Sequence, residues 1–348
     1  MTPLHDVAEQ NASIREGLDN AISRVLNSGT FVGGSEVKQL EKSFSEYIGI
    51  GHCIGVGNAT DGFEIAFKAL DLPPSSEVII PANAHVSPAL AALNAGLKPI
   101  FCDVDSDRLL LSKKTIEAQI TSKTKAVVAV HLYGRVCPMD EILQLCKEHD
   151  LILIEDFSQA QGASFNGRKV GSFGTINVCS FYPTKPFGAL GDGGAITTND
   201  NSLAEKCRNL AQYGWTIRDN TRLQGQNSRL DAIQAAVLNV KLPHLDKWNA
   251  DRISKAESLI DELMSADRIT TEELQEGDIC HLLPVRSGSR DVLIQKLENA
   301  GFGYGIHYPI PLHQQELFAF GQSLPDSERC CNEVLSIPLD DGIIEVLK

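Results

Sequence analysis

From about residue 50 to 200 short apolar runs alternate with stretches in which apolar residues recur three and four positions apart, the rhythm of a parallel sheet covered by helices. The runs predict strands over Glu77 to Ile80, Pro99 to Cys102, Ala126 to His131, Leu151 to Ile154, Val178 to Phe181 and Ala195 to Thr198. The stretches between them predict helices over Thr60 to Leu70, Met139 to His149 and Ser202 to Tyr213. After about residue 235 the pattern loosens into a helical segment, Leu242 to Met264, followed by shorter strand and helix signals. The expected organisation is a large α/β domain over residues 1–235, with an N-terminal helical segment, and a smaller α+β domain over 236–348.

With 348 residues, 43% hydrophobic and 22% charged, the chain can bury a sizeable core, which excludes disorder. Its 31 Lys and Arg against 45 Asp and Glu leave a formal charge of −14, which repels nucleic acid and anionic lipid. The start, MTPLHDVAEQ, has no basic segment followed by an apolar one, and no apolar run approaches the roughly 18 residues of a membrane span. A cytoplasmic protein is expected, with no membrane partner. The nine cysteines are scattered without a CxxC pair, so they read as reduced packing residues, and no metal site is expected.

In open α/β sheets ligands bind beyond the carboxyl ends of the strands, so polar residues after the apolar runs are the candidates for chemistry. After LILI comes Glu155-Asp156, which is either a carboxylate at the mouth of a buried strand or a helix cap. In Ser180-Phe181-Tyr182-Pro183-Thr184-Lys185-Pro186 a lysine is held between prolines ahead of a glycine-rich segment that allows close backbone approach. Gly55-Val56-Gly57-Asn58-Ala59-Thr60-Asp61-Gly62 precedes a helix with Asp61 and Glu64 at capping-box spacing. It reads either as a capped helix or as an anion site on a helix start. With Thr60 in place of the third glycine of GxGxxG, it is not a nicotinamide fingerprint. His85 follows the strand ending at Ile80 and offers a flat imidazole, unless it is a core histidine. A strand-end acid, a strand-end lysine, a phosphate cradle and a flat ring together are what pyridoxal phosphate requires.

The segments SFYPTKPFGALGDGGAITTND, EDFSQAQGASFNGRKVGSFG, GVGNATDG, VIIPANAHVSPALAAL, NSRLDAIQAAVLNVKL and GIHYPIPLHQQ resemble the DegT/DnrJ/EryC1/StrS family of pyridoxal-phosphate sugar aminotransferases, from about Phe31 to His313. The resemblance implies the aspartate aminotransferase fold (fold type I), pyridoxal 5'-phosphate as cofactor, and transfer of an amino group from L-glutamate to a keto group of a nucleotide-linked sugar. It implies that Lys185 forms the Schiff base and that Asp156 partners the pyridinium nitrogen. Gln159 would lie near the ring hydroxyl, and Ala59, Thr60 and Ser180 would hold the phosphate. His85 occupies the ring-stacking position, and Asn227 would reach the phosphate from the second subunit of a homodimer with shared active sites. Arg229, His307 and Tyr308 fall where the family meets its nucleotide sugar. The chain departs from the family's commoner pattern at Ala59, at Ala84-His85, at Gln161 in place of His and at Pro186 in place of Asn. Two other readings keep the fold. Sugar dehydratases resemble this family with His at the lysine position, here Lys185, and a regulatory relative would keep the fold without turnover.

Overall fold

The computed structural model describes residues 2–264, 269–319 and 321–347. After a short helix at Val7–Ala12 come two amphipathic helices, α1 (Arg15–Ser28) and α2 (Gly34–Ile48). A single sheet then forms from β1 (His52–Val56), β2 (Glu77–Pro81), β3 (Lys98–Cys102), β4 (Thr124–Val130), β5 (Ile152–Asp156), β6 (Ile176–Ser180) and β7 (Gly194–Thr198). Between the strands lie α3 (Ala59–Ala69), α4 (Ser87–Asn94) and α5 (Met139–Glu148), and α6 (Asn201–Ala211) follows β7. The strand order is β1-β7-β6-β5-β4-β2-β3, and only β7 runs against the rest. The expected strands are all present, shifted by one or two residues. Asp156 closes β5 itself rather than following it, because its backbone still pairs with Val130 and Val178. Strand β1 was not among the expected elements: HCIGV is short, and among the described residues its ladder partner is the antiparallel β7, far along the chain.

Two close approaches need glycine. Helix α3 lies so near the sheet that a Cβ on Gly62 would meet Val178 Cγ1 at 2.9 Å. A Cβ on Gly194, at the start of β7, would meet the carbonyl carbon of Asn58 at 2.8 Å and the nitrogen of Ala59 at 2.9 Å. The capping box expected from Asp61 and Glu64 is not the cap that forms. Asn58 starts α3, its side chain accepting the Asp61 N–H at 2.9 Å, and Glu64 is drawn instead to Lys68 at 2.6 Å. Asn is among the best N-caps because its short side chain reaches the free amides of the first turn.

Helices α7 (Ala232–Lys241) and α8 (Leu245–Leu263) continue the chain, with a short 3-10 turn at Leu242–His244 interrupting the expected helix. Beyond them β8 (Leu283–Arg286) pairs antiparallel with β9 (Val334–Ile337), flanked by α9 (Arg290–Ala300). Leu259, Leu263, Val285, Leu297 and Leu335 form a second apolar cluster there. Leu245, Ile279, Leu312, Phe318 and Leu324 pack into the core of the large sheet instead, so the polypeptide after residue 236 contributes to both. All nine cysteines are free and buried. Among the described residues no helix is long and apolar enough to cross a membrane, and no cluster of His, Cys, Asp or Glu could hold a metal ion.

Candidate active site

Strands β1, β2, β4, β5 and β6 all point the same way, and their carboxyl ends open on one cavity of about 730 Å³. Ala59, Thr60, His85, Asp156, Gln159, Ser180, Lys185, His307 and Tyr308 all line it. Residues spread over some 250 positions of sequence thus meet at the edge where an open α/β sheet holds its ligands.

At one side lies the start of α3. The N–H groups of Ala59 and Thr60 find no acceptor among the described residues, as expected of the first turn of a helix. The Thr60 hydroxyl donates to Ser87 Oγ at 2.9 Å, and Ser87 Oγ also lies 2.7 Å from His85 Nδ1, so the cradle and the imidazole are linked. On the floor the Asp156 side chain is buried, and its Oδ1 accepts the N–H of Ser158 at 3.0 Å. Ser158 Oγ accepts the N–H of Ser180 at 2.9 Å, tying the end of β5 to that of β6. Gln159 Oε1 accepts the N–H of Tyr133 at 2.7 Å, and its Nε2 approaches the Tyr308 hydroxyl at 3.4 Å. Gln161 donates to the Ser180 carbonyl at 2.7 Å, a use for an amide where the family often has an imidazole.

Lys185 stands on a short turn between two buried phenylalanines. Phe181 and Phe187 pack edge to face at 5.4 Å, and Phe44 of α2 stacks on Phe187 at 5.3 Å. The turn is closed by the Lys185 N–H donating to the Tyr182 carbonyl and by the Ala189 N–H donating to the Phe181 carbonyl. The buried Lys241 Nζ donates to the Gly188 carbonyl at 2.8 Å. The lysine is therefore held by packing on both flanks, not solvated at a surface. Burial pulls the Lys185 amine below its ordinary pKa, with Asp156 opposing. Burial likewise pushes His307 down to about 4, with Lys185 and His85 adding to the effect, so this ring stays neutral through the physiological range. Behind the floor, the fully buried Glu155 accepts N–H bonds from Gly171, Phe173 and Gly174 at 2.6–2.8 Å and faces His131 at 3.1 Å. It is a structural acceptor beside the acid that faces the cavity.

Asn227 and Arg229 are not brought to this cavity. Both are exposed, Arg229 Nε donating to Asn227 Oδ1 at 3.0 Å, and Arg229 lines a separate groove with Val32, Gly33 and Glu41. Conversely, Asn58, Ser87, Ser158, Tyr133, His5 and His281 take part in or around the site without having been singled out. Of these only Asn58 carried a readable signal, as an Asn directly before a helix.

The residues fit pyridoxal phosphate. Unpaired amides at the start of α3 suit the phosphate, a buried carboxylate faces the cavity, and an amine held toward its neutral form lines it as well.

A sequence model of the DegT/DnrJ/EryC1/StrS aminotransferase family matches residues 12–345. The chain is 39% identical to the pleiotropic regulatory protein of Geobacillus stearothermophilus, over 97% of this chain and 93% of that protein. It is 36% identical to a dTDP-3-amino-3,4,6-trideoxy-alpha-D-glucose transaminase of Streptomyces venezuelae, over 97% and 90%. In three dimensions it is similar to a crystal structure of S. venezuelae DesV in complex with a ketimine intermediate, with a TM-score of 0.95 and 35% identity over 99% of this chain and 97% of that one. With a family match over nearly the whole chain and the α/β, fold type I architecture that goes with it, the protein belongs to the DegT/DnrJ/EryC1/StrS aminotransferase family.

Proposed function

We propose that the protein moves an amino group from L-glutamate to the keto group of a nucleotide-linked sugar, using pyridoxal 5'-phosphate, in the cytoplasm. The observation that carries this reading is the meeting of Lys185, Asp156 and the open amides of Ala59 and Thr60 in one cavity. When bound, the cofactor supplies an electron sink that lets a proton leave the carbon bearing nitrogen. Lys185 anchors the cofactor between turnovers and, once released, carries that proton, taking it from the donor's α-carbon in the first half-reaction and delivering a proton to the sugar carbon in the second. Asp156 partners the ring nitrogen, Gln159 the ring hydroxyl, and His85 covers the ring's open face. Ser180 joins Ala59 and Thr60 around the phosphate, while His307 and Tyr308 meet the sugar nucleotide. The relative named as a 3-amino sugar transaminase favours carbon three as the acceptor. The relative named as regulatory favours no turnover, but the lysine and acid are both in place here, and Lys185 also argues against dehydration.

The test is spectroscopic. The cofactor-loaded protein is expected to be yellow, to bleach with L-glutamate and to recover its colour with a nucleotide 3-keto sugar. Failure to take up the cofactor, or colour indifferent to every amino donor, removes the reading.

The exposed Asn227 and Arg229 belong, in this proposal, to the active site of a second copy of the chain, and a homodimer shares its sites. Support comes from their surroundings: Phe31 and Val32, 48% and 44% exposed, adjoin Arg229 through the pairing of Val32 with Asp231. Mixing Lys185→Ala with Asn227→Ala protein, after subunit exchange, is expected to restore up to about a quarter of wild-type activity through hybrids with one intact site. A mixture as inactive as its parents, with Asn227→Ala alone clearly impaired, would defeat the shared site. The division into units at residues 235 and 236 is part of the same proposal, the second bringing His307 and Tyr308 to the first.

A further inference from the structure

A second cavity, of about 480 Å³, adjoins the first: Pro3, Leu4, His5, Lys185 and His281 line both. On one wall of it stands a guanidinium that the protein leaves partly unpaired. Arg252 of α8 supplies it, with one hydrogen bond, from Nη2 to Asn249 Oδ1 at 2.5 Å. The Arg252 Nε is buried without a partner, and among the described residues no carboxylate lies within ion-pair distance of the guanidinium. His281 is only 5% exposed, its ring stacked flat on His5 at 4.9 Å and 5°. Neither imidazole makes a hydrogen bond among the described residues. Of the lining acids, Asp6, Glu9 and Asp251 are exposed, Asp6 being occupied in capping the helix Val7–Ala12, and the half-buried Asp340 accepts the Gly342 N–H at 2.9 Å.

A guanidinium whose buried Nε has no acceptor is costly unless an anion completes it. The planar fork of Arg suits a carboxylate, and Lys185 on the shared lining sets that fork in the same cavity as the reacting amine. We infer that this second cavity is the amino donor's subsite, with Arg252 receiving a carboxylate of the donor while its amine points through the shared opening to Lys185. The inference rests on the aminotransferase reading and deepens it. The two substrates then use different walls around one lysine, with the amino acid held by α8 and the N-terminal segment and the sugar nucleotide held by the cavity of His307 and Tyr308. Burial lowers His5 to about 4, so it faces the donor as a neutral ring that can accept or donate one hydrogen bond.

Trp248 lines this cavity and reports on it. In cofactor-loaded protein carrying Trp215→Phe, titration with 2-oxoglutarate, a dicarboxylate without an amine, is expected to change the fluorescence of Trp248 saturably. Arg252→Met should weaken that affinity by about tenfold or more, the loss of a charge-assisted hydrogen-bond pair, with Arg252→Lys in between. Binding of dTDP or UDP should stay unchanged in both. No saturable signal in the parent, equal affinity in Arg252→Met, or parallel loss of dicarboxylate and nucleotide would overturn the subsite. Should Arg252→Met fail to fold, Arg252→Lys and His5→Phe carry the comparison, and unchanged affinity in both overturns the subsite equally. Bleaching by L-glutamate is read separately. Bleaching without a Trp248 response removes the subsite and leaves the transamination, whereas a Trp248 response without bleaching removes the transamination.

Discussion

Lys185→Ala protein is expected to take up pyridoxal phosphate and melt within a few degrees of the parent, yet to lose roughly 10³-fold or more in kcat, because no other amine can carry the proton. Binding survives because the phosphate cradle at Ala59 and Thr60 and the acid at Asp156 stand on other elements, α3 and β5. The fold survives because the turn is held by Phe181, Phe187 and Lys241 rather than by the lysine side chain. The change is read by kcat and by the absorbance of bound cofactor. Turnover near the parent's rate would mean that another group moves the proton, and failure to bind cofactor would mean that the cradle is misassigned. The lysine's environment also sets a direction with pH: burial favours the neutral amine that the reaction needs, so activity should fall on acidification as that amine becomes charged.

Asp156→Asn is expected to keep the fold and to lower kcat by about 10²–10³, the usual cost of removing one preorganised charge from the reacting group. The carboxylate's structural duty is small. Its Oδ1 accepts the Ser158 N–H, and the amide oxygen of Asn can accept the same bond. What the amide lacks is the negative charge that stabilises a protonated ring nitrogen, so the electron sink weakens while binding persists. The expected signature is a loss in both half-reactions with unchanged melting temperature. Near-normal turnover would return Asp156 to the cap reading that the sequence left open.

How far the site could be read in advance follows from how each residue is brought there. Asp156 and Lys185 were legible because short continuous apolar runs mark where buried strands end, and strand ends of one sheet share one edge. His85 stood in the same place for the same reason, whereas Thr60 was legible from a glycine-rich segment running into a helix start. Tyr133, Ser158 and the His5–His281 pair were not legible, because turns and chain crossings place them and no local period encodes those. Asn58 displaced the expected Asp61 cap because it alone precedes the first turn, a one-residue distinction that spacing did not resolve. Within the fold, the antiparallel β7 passed as one more strand of a parallel sheet, since its sequence pattern carries no direction. Strand β1, short and with both flanks near glycine, gave no separate signal at all.

That antiparallel strand also fixes when the cofactor pocket can exist. His52 pairs with Thr198 and Val56 with Gly194, and Gly194 lies against the backbone of Asn58 and Ala59, where α3 begins. During synthesis the phosphate cradle therefore emerges early but has no neighbour until β7 leaves the ribosome, and closing so long a loop is entropically slow. A nascent chain that stops short of β7 leaves β1 without a ladder partner and β6 as an open sheet edge, unable to retain the vitamin-derived cofactor and exposed to pairing with other chains. Cofactor capture is thus a late event in biogenesis, and chains truncated before β7 are candidates for chaperones and proteases rather than for slow enzymes.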